Sequence, residues 1–179
     1  HSGFLASSLA MDKELSKIIF IKNDLKVPKY FLLEKYDKKN LKVKFKNIKF
    51  KFPVVVKPVN EGSSLGVYIC KNKVQLKNKY LKLMKNHDKV MVEEYIPGRE
   101  IQVAVMGKKA LGAIELVPKR EFYDYKAKYS SNAKTKHIMP AQITQKKYKE
   151  VLFLGRKAHK VLGCRGITRS DFRFFKNKF

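Results

Sequence analysis

The 179-residue chain has only two cysteines, Cys70 and Cys164. They lie far apart and in no Cys-x-x-Cys or Cys/His spacing, which excludes a disulfide framework and a zinc site and fits a reducing cytoplasm. No apolar run approaches the ~20 residues that a membrane helix needs, so a transmembrane reading is excluded. The start, His1-Ser2-Gly3-Phe4-Leu5-Ala6, has no basic segment leading into an apolar one, so no secretory signal is read. It also lacks Met, as a partial chain would. There is no internal repeat and no Gly/Ser-rich linker. Acidic residues are scarce, 15 against 41 Lys and Arg, for a net charge of +26.

A field of that sign suits a nucleic-acid partner. Arginine, however, is nearly as scarce as cysteine: 35 of the basic residues are Lys and only 6 are Arg. Base edges and phosphate forks are read best by Arg. The lysines are also spread along the whole chain, as at Lys38, Lys42, Lys49, Lys73 and Lys82. No specific nucleic acid is therefore expected. A basic nucleic-acid-binding module stays as the rival of a different class, and it predicts retention on heparin or DNA with a steep salt dependence.

Hydrophobic residues make up 44% of the chain, enough for a packed core. Apolar spacing predicts a helix over Leu5–Asn23. Val27-Pro28 breaks it and begins an extended piece. Residues 35–51 are Lys-rich and polar. Strands are predicted at 52–58, 67–70, 90–95, 100–106, 110–117 and 167–175, with helices at 74–86 and 144–162. Core positions are Leu76, Tyr80, Leu81 and Met84 on the first of those helices. On the second they are Tyr148, Val151, Leu152, Ala158 and Val161, with His159 at the surface. The strands around Gly107-Lys108-Lys109 read as an antiparallel hairpin. From Pro118 to Gln142 no core periodicity appears, which is the pattern of a long functional loop such as a lid. Hairpins mixed with helices give an α+β class.

Four constellations could carry chemistry. Lys57-Pro58-Val59-Asn60-Glu61-Gly62-Ser63-Ser64-Leu65-Gly66 sets a strand-end Lys before a loop of small residues. Such a loop lets backbone N–H groups approach phosphate oxygens, although it is no Walker loop. A Gly-rich turn beside a surface Lys fits the same residues. Glu93-Glu94-Tyr95-Ile96-Pro97-Gly98-Arg99-Glu100 is a hinge whose extended backbone can meet an adenine edge and whose carboxylate can accept two ribose hydroxyls. It reads equally as a surface hairpin with solvated acids. Phe122-Tyr123-Asp124-Tyr125-Lys126-Ala127-Lys128-Tyr129 puts aromatics and Lys on the structureless stretch, where they could close over a ligand or contact a partner. Arg169 and Asp171 share one face of a strand, as a metal-ligating carboxylate beside a cation or as a structural ion pair. His137 lies in the same long loop, with no ligand partner at metal spacing.

In this order and over nearly the whole chain, these motifs resemble D-alanine–D-alanine ligases of the ATP-grasp superfamily. The segment His1–Lys13 is similar to the entry into their ATP-grasp part, and the Tyr-Asp-Tyr-x-Ala-Lys-Tyr lid is the most family-specific piece. The resemblance implies an ATP-grasp fold with two α+β subdomains whose antiparallel sheets clasp ATP. Residues 1–16 would enter it, 17–95 would form the small subdomain, and 96–179 would form part of the large one with a lid at 118–142.

The resemblance also implies roles. Lys13 and Lys57 would contact ATP phosphates. Gly62, Ser63 and Ser64 would cover those phosphates, with Ser63 also near the substrate. Glu93, Glu94, Tyr95 and Ile96 would frame the adenine, and Glu100 would hold the ribose. Lys128 would neutralise the γ-phosphoryl group and Tyr129 would close the lid. Arg169 would stabilise an oxyanion. Asp171 would bind Mg²⁺, or Mn²⁺ in its place. The implied reaction is ATP-dependent joining of two D-alanines through an acylphosphate, in peptidoglycan precursor synthesis, or a related ligation such as D-Ala with D-lactate. Family members are often dimers, so a homodimer of the full-length protein is allowed. The family's Glu-x-Asn pair, which completes the magnesium site, would come after Phe179. The expectation is an internal fragment that does not turn over by itself.

Overall fold

The computed structural model describes residues 1–35, 40–46, 48, 50–118 and 135–179. They divide into two compact units, one of residues 28–96 and one of residues 1–27 with 97–179. The class is α+β, as expected: two antiparallel four-stranded sheets, each with helices. The small subdomain was expected over 17–95. Residues 17–27 group with the other unit, which brings that boundary to Pro28.

The 28–96 unit contains β1 (Tyr30–Glu34), α3 (Leu41–Lys46), β2 (Val54–Pro58), β3 (Tyr68–Cys70), α4 (Lys73–Leu83) and β4 (Lys89–Glu94). Its sheet order is β1-β4-β2-β3. The run Phe52–Pro58 is rich in β-branched residues, and β2 sits inside the sheet, paired along both edges, with four of its five residues buried. Val54, Val56, Val90 and Val92 turn toward Leu76, Tyr80 and Leu83 of α4, all essentially buried. Each fully buried Val or Leu contributes roughly 1.5–3 kcal/mol. On α4 the buried positions are Leu76, Tyr80 and Leu83, with Met84 just beyond its end. Leu81, expected inside, is 37% exposed. The Tyr80 hydroxyl satisfies itself by donating to the Glu34 carbonyl at 2.7 Å.

The other unit begins with α1 (Phe4–Met11) and α2 (Lys13–Lys22), where one continuous helix was expected. The break lies at Asp12, whose extended backbone and carboxylate cap the second helix by accepting from Glu14 N and Leu15 N at 2.8 and 2.9 Å. After residue 96 come β5 (Arg99–Met106), β6 (Lys109–Val117), β7 (Lys136–Ile138), α5 (Gln145–Val161) and β8 (Ile167–Phe174). The sheet order is β7-β6-β5-β8. β7 falls inside the stretch expected to be loop, and its three residues are too few to show a period. Ile101, Val103 and Val105 face Val151 of α5. At Gly155 a Cβ would lie 2.6 Å from Val103, so the helix packs against β5 only because that residue is glycine.

Candidate functional site

In the 28–96 unit, the antiparallel register pairs Lys57 with Met91 and Val55 with Glu93. Lys57 and Glu93 are therefore diagonal neighbours on one sheet face. Their side chains meet at 2.5 Å and are only 17% and 10% exposed. The ammonium carries three donors, and Glu93 is the one hydrogen-bond acceptor it has among the described residues. Two N–H bonds thus remain for an anionic ligand. This fits a phosphate group, whose oxygens accept and whose charge opposes that of Lys57.

The loop after β2 begins at the same strand end. Ser63 and Ser64 hold φ of 49° and 60°, a region that costs a non-glycine residue about 1 kcal/mol or more. Leu65 N donates to Gly62 O at 2.9 Å and Val67 N to Ser64 O at 3.3 Å, closing two successive turns. Gly66, at φ 68°, has no room for a Cβ, which would lie 2.9 Å from Pro58 Cγ. The loop is held against the strand that carries Lys57, and nothing lies within 4 Å of a Cβ at Gly62. Strain of this kind clusters at ligand sites. Beyond Glu93, Glu94 N donates to Lys29 O at 2.8 Å, and half-buried Tyr95 and Ile96 continue past the end of β4.

In the other unit, β8 and β5 pair Arg169 with Ala104, Asp171 with Gln102 and Arg173 with Glu100. These six residues share the face opposite α5, because Val103, Val105, Phe172 and Phe174 take the core side. Arg169 grips Asp171 in a fork, Nε to Oδ1 at 2.9 Å and Nη2 to Oδ2 at 3.3 Å. Both side chains are about half exposed. Glu100 stands 4.0 Å from Arg173. Asp171 presents hard carboxylate oxygens to solvent, which fits one ligand of a magnesium ion. Among the described residues, no group of three or more His, Cys, Asp and Glu residues could hold a metal by itself.

The Pro97-Gly98 turn leads into β5. Gly98 has φ 108°, and a Cβ there would meet Phe174 O at 2.5 Å. Arg99 next to it is tied to Glu115, Nε to Oε1 at 2.5 Å with a second, parallel contact from Nη2 to Oε2, and Nη2 also donates to Gln142 O at 2.7 Å. The hydrogen bonds to Glu115 raise the Arg99 pKa still further. This residue anchors the start of β5 and stays charged at every working pH.

The sequence-predicted residues thus gather in two sets. Lys57, Gly62, Ser63, Ser64, Glu93, Glu94, Tyr95 and Ile96 lie in the 28–96 unit, and Lys13, Glu100, Arg169 and Asp171 lie in the other. Lys13 opens α2. Lys128 and Tyr129 lie outside the described residues. Sequence reasoning missed Gln102, which is 5% exposed beside Asp171. It also missed Arg173 beside Glu100. The period-two alternation from Glu100 and from Arg169 would have found both.

The family model for the D-ala D-ala ligase C-terminus matches residues 19–178. This chain belongs to that family. A D-alanine–D-alanine ligase of Pelagibacter ubique (strain HTCC1062) is 55% identical over all of this chain and 58% of its own length. The ligase of Wolbachia pipientis wMel is 44% identical over 97% of the chain and 53% of its own length. The chain therefore spans a little over half the length of these curated relatives. Among solved structures, the D-alanine–D-alanine ligase from Bacillus anthracis superposes with a TM-score of 0.80 at 28% identity, over 98% of this chain and 56% of that one. The VanG D-Ala:D-Ser ligase from Enterococcus faecalis does so with a TM-score of 0.82 at 29% identity, over 98% and 51%. The ATP-grasp fold expected from the motifs is the fold observed.

Proposed function

We propose that the protein carrying this chain joins two D-alanines with ATP, by way of an acylphosphate, in the cytoplasm, for peptidoglycan precursors. The observation that supports this reading is the Arg169–Asp171 fork on the open face of β8, the two residues that the motif resemblance assigns to the oxyanion and the metal. The 28–96 unit is assigned to the small ATP-grasp subdomain, and the unit containing 97–179 to the large one.

A carboxylate resists attack by an amine until phosphorylation gives it a leaving group. Lys57, with one of its three donors taken by Glu93, binds a phosphate oxygen and orients the nucleotide. Lys13 adds a second cation. Gly62, Ser63 and Ser64 cover the phosphates with the backbone of a short loop, and Ser63 reaches the substrate. Glu93, Glu94, Tyr95 and Ile96 meet the adenine, and Glu100 accepts the ribose hydroxyls. Arg169, charged at all relevant pH values, donates to the oxygen that becomes negative when the amine adds to the acyl carbon. Lys128 and Tyr129 are assigned to the lid, which keeps water from an acylphosphate that water would hydrolyse. Magnesium, when bound, supplies positive charge to the phosphate oxygens, and Asp171 is one residue that would hold it.

D-Ala-dependent ADP release from the complete gene product tests this reading. Arg169→Ala is expected to lower kcat by about 10²–10³, the cost of one oxyanion donor. ATP turnover that ignores D-Ala would sink the reading. Because a D-Ala:D-Ser ligase shares this fold, D-Ser and D-lactate belong in the assay as second substrates. Faster release with either would replace D-Ala in that position.

A further inference from the structure

His159 was expected at the surface, yet it is only 6% exposed. Its ring Nδ1 lies 2.7 Å from Thr168 Oγ1. Its backbone carbonyl accepts from Cys164 N at 3.0 Å. One residue thus holds both the turn that leaves α5 and the Thr168–Val105 rung near the start of β8.

That rung is badly specified by hydrophobicity. Ile167 is 68% exposed while Thr168 and Ser170 point inward, the reverse of what apolar patterning prefers. A one-residue slip would bury Ile167 and turn Arg169 and Asp171 onto the core side. Among the described strands β8 pairs only with β5. On its other side, β5 already breaks register with β6 between Ala104 and Val105. Those two residues are the partners of Arg169 and Thr168. Phe172 and Phe174 fix the far half of β8 through the core. Near Arg169, the His159–Thr168 bond is a side-chain contact that opposes the slip, together with the backbone bond from Gly107 N to Gly166 O at 2.8 Å just ahead of the strand.

We infer that His159, acting through Thr168, is a positioning residue that keeps Arg169 and Asp171 on the open face of β8. This rests on the ligase reading proposed above. In the complete gene product, His159→Phe and Thr168→Val are each expected to lower kcat about tenfold with KM for ATP within twofold. Thr168→Ser should restore the rate, and the double variant should be no slower than the slower single one. A lowered melting temperature with unchanged kcat in both single variants, or losses that multiply in the double, would overturn the inference. Should His159→Phe fail to fold, the Thr168→Val and Thr168→Ser pair decides alone. The Arg169 Nε–H resonance gives a readout independent of activity. It should lose its bonded shift in Thr168→Val and keep it in Thr168→Ser, and an unchanged shift in both would count against the positioning role. If the parent protein shows no D-Ala-dependent activity, the ligase reading fails, and this resonance still tests the positioning.

Discussion

Lys57 and Glu93 make a buried pair, proposed above as a binding element as well as a structural one. Removing one partner of such a pair leaves an uncompensated charge inside, at a cost of about 3–5 kcal/mol. Lys57→Met should therefore lower the urea midpoint markedly and abolish binding of a fluorescent ATP analogue. Lys57→Met with Glu93→Gln should recover most of the stability and none of the binding. If the double variant is as unstable as the single one, the buried charge is not the cause. Cys70 offers a second test at this scale. Burial pushes its thiol from the usual value near 9 up to about 11, partly offset by Lys79. The folded state thus holds this proton more tightly than the unfolded chain does. Its contribution to stability is full below pH 9 and is lost as pH rises from 9 to 11. Melts across that range should show the decline, and Cys70→Ser should flatten it. At pH 8, a thiol reagent should modify half-buried Cys164 and leave Cys70 intact.

The strands and helices were readable because patterning decides them. β2 announces itself by three consecutive valines, and β5 and β6 by the Gly107-Lys108-Lys109 turn between them. Lys57, Glu93 and Arg169 stood out for a different reason, since they sit in motifs that hydrophobic patterning does not demand. What escaped was set by tertiary partners. Asp12 splits a helix whose apolar spacing runs straight through it. β7 exists because β6 offers it a ladder. His159 was misplaced by its polarity, although it falls on the stripe of Val151, Gly155, Ala158 and Leu162 that faces the sheet. Gly155 on that stripe marks the closest approach of α5 to β5. Alanine is the better helix former by about 1 kcal/mol, but its Cβ would stand 2.6 Å from Val103. Overpacking of this kind costs about 1–3 kcal/mol. Gly155→Ala should therefore lower the melting temperature, and Gly155→Ala with Val103→Ala should recover part of the loss. A stabilised single variant would mean that the helix can back away from the sheet.

At the scale of the whole molecule, the net charge of +26 opposes compaction and attracts any polyanion. Salt separates this diffuse field from a built site. The Debye length shrinks from about 10 Å at 0.1 M to about 3 Å at 1 M, and exposed lysines lose their mutual repulsion first. Raising NaCl from about 50 to about 500 mM should thus raise the melting temperature. It should also release the protein from heparin and duplex DNA, because a contact with several phosphates loses about 10³-fold or more in affinity over part of that range. Nucleotide binding should weaken far less, since Lys57 is mostly buried and its ion pair with Glu93 is screened little. The two salt slopes, measured on one preparation, discriminate between the ligase and the nucleic-acid module. A shallow slope for the ATP analogue and a steep one for DNA show that the lysines act as a surface field around a nucleotide site. A DNA complex that survives 500 mM salt, indifferent to nucleotide and to Lys57→Met, would make nucleic acid the partner and displace the ligase reading.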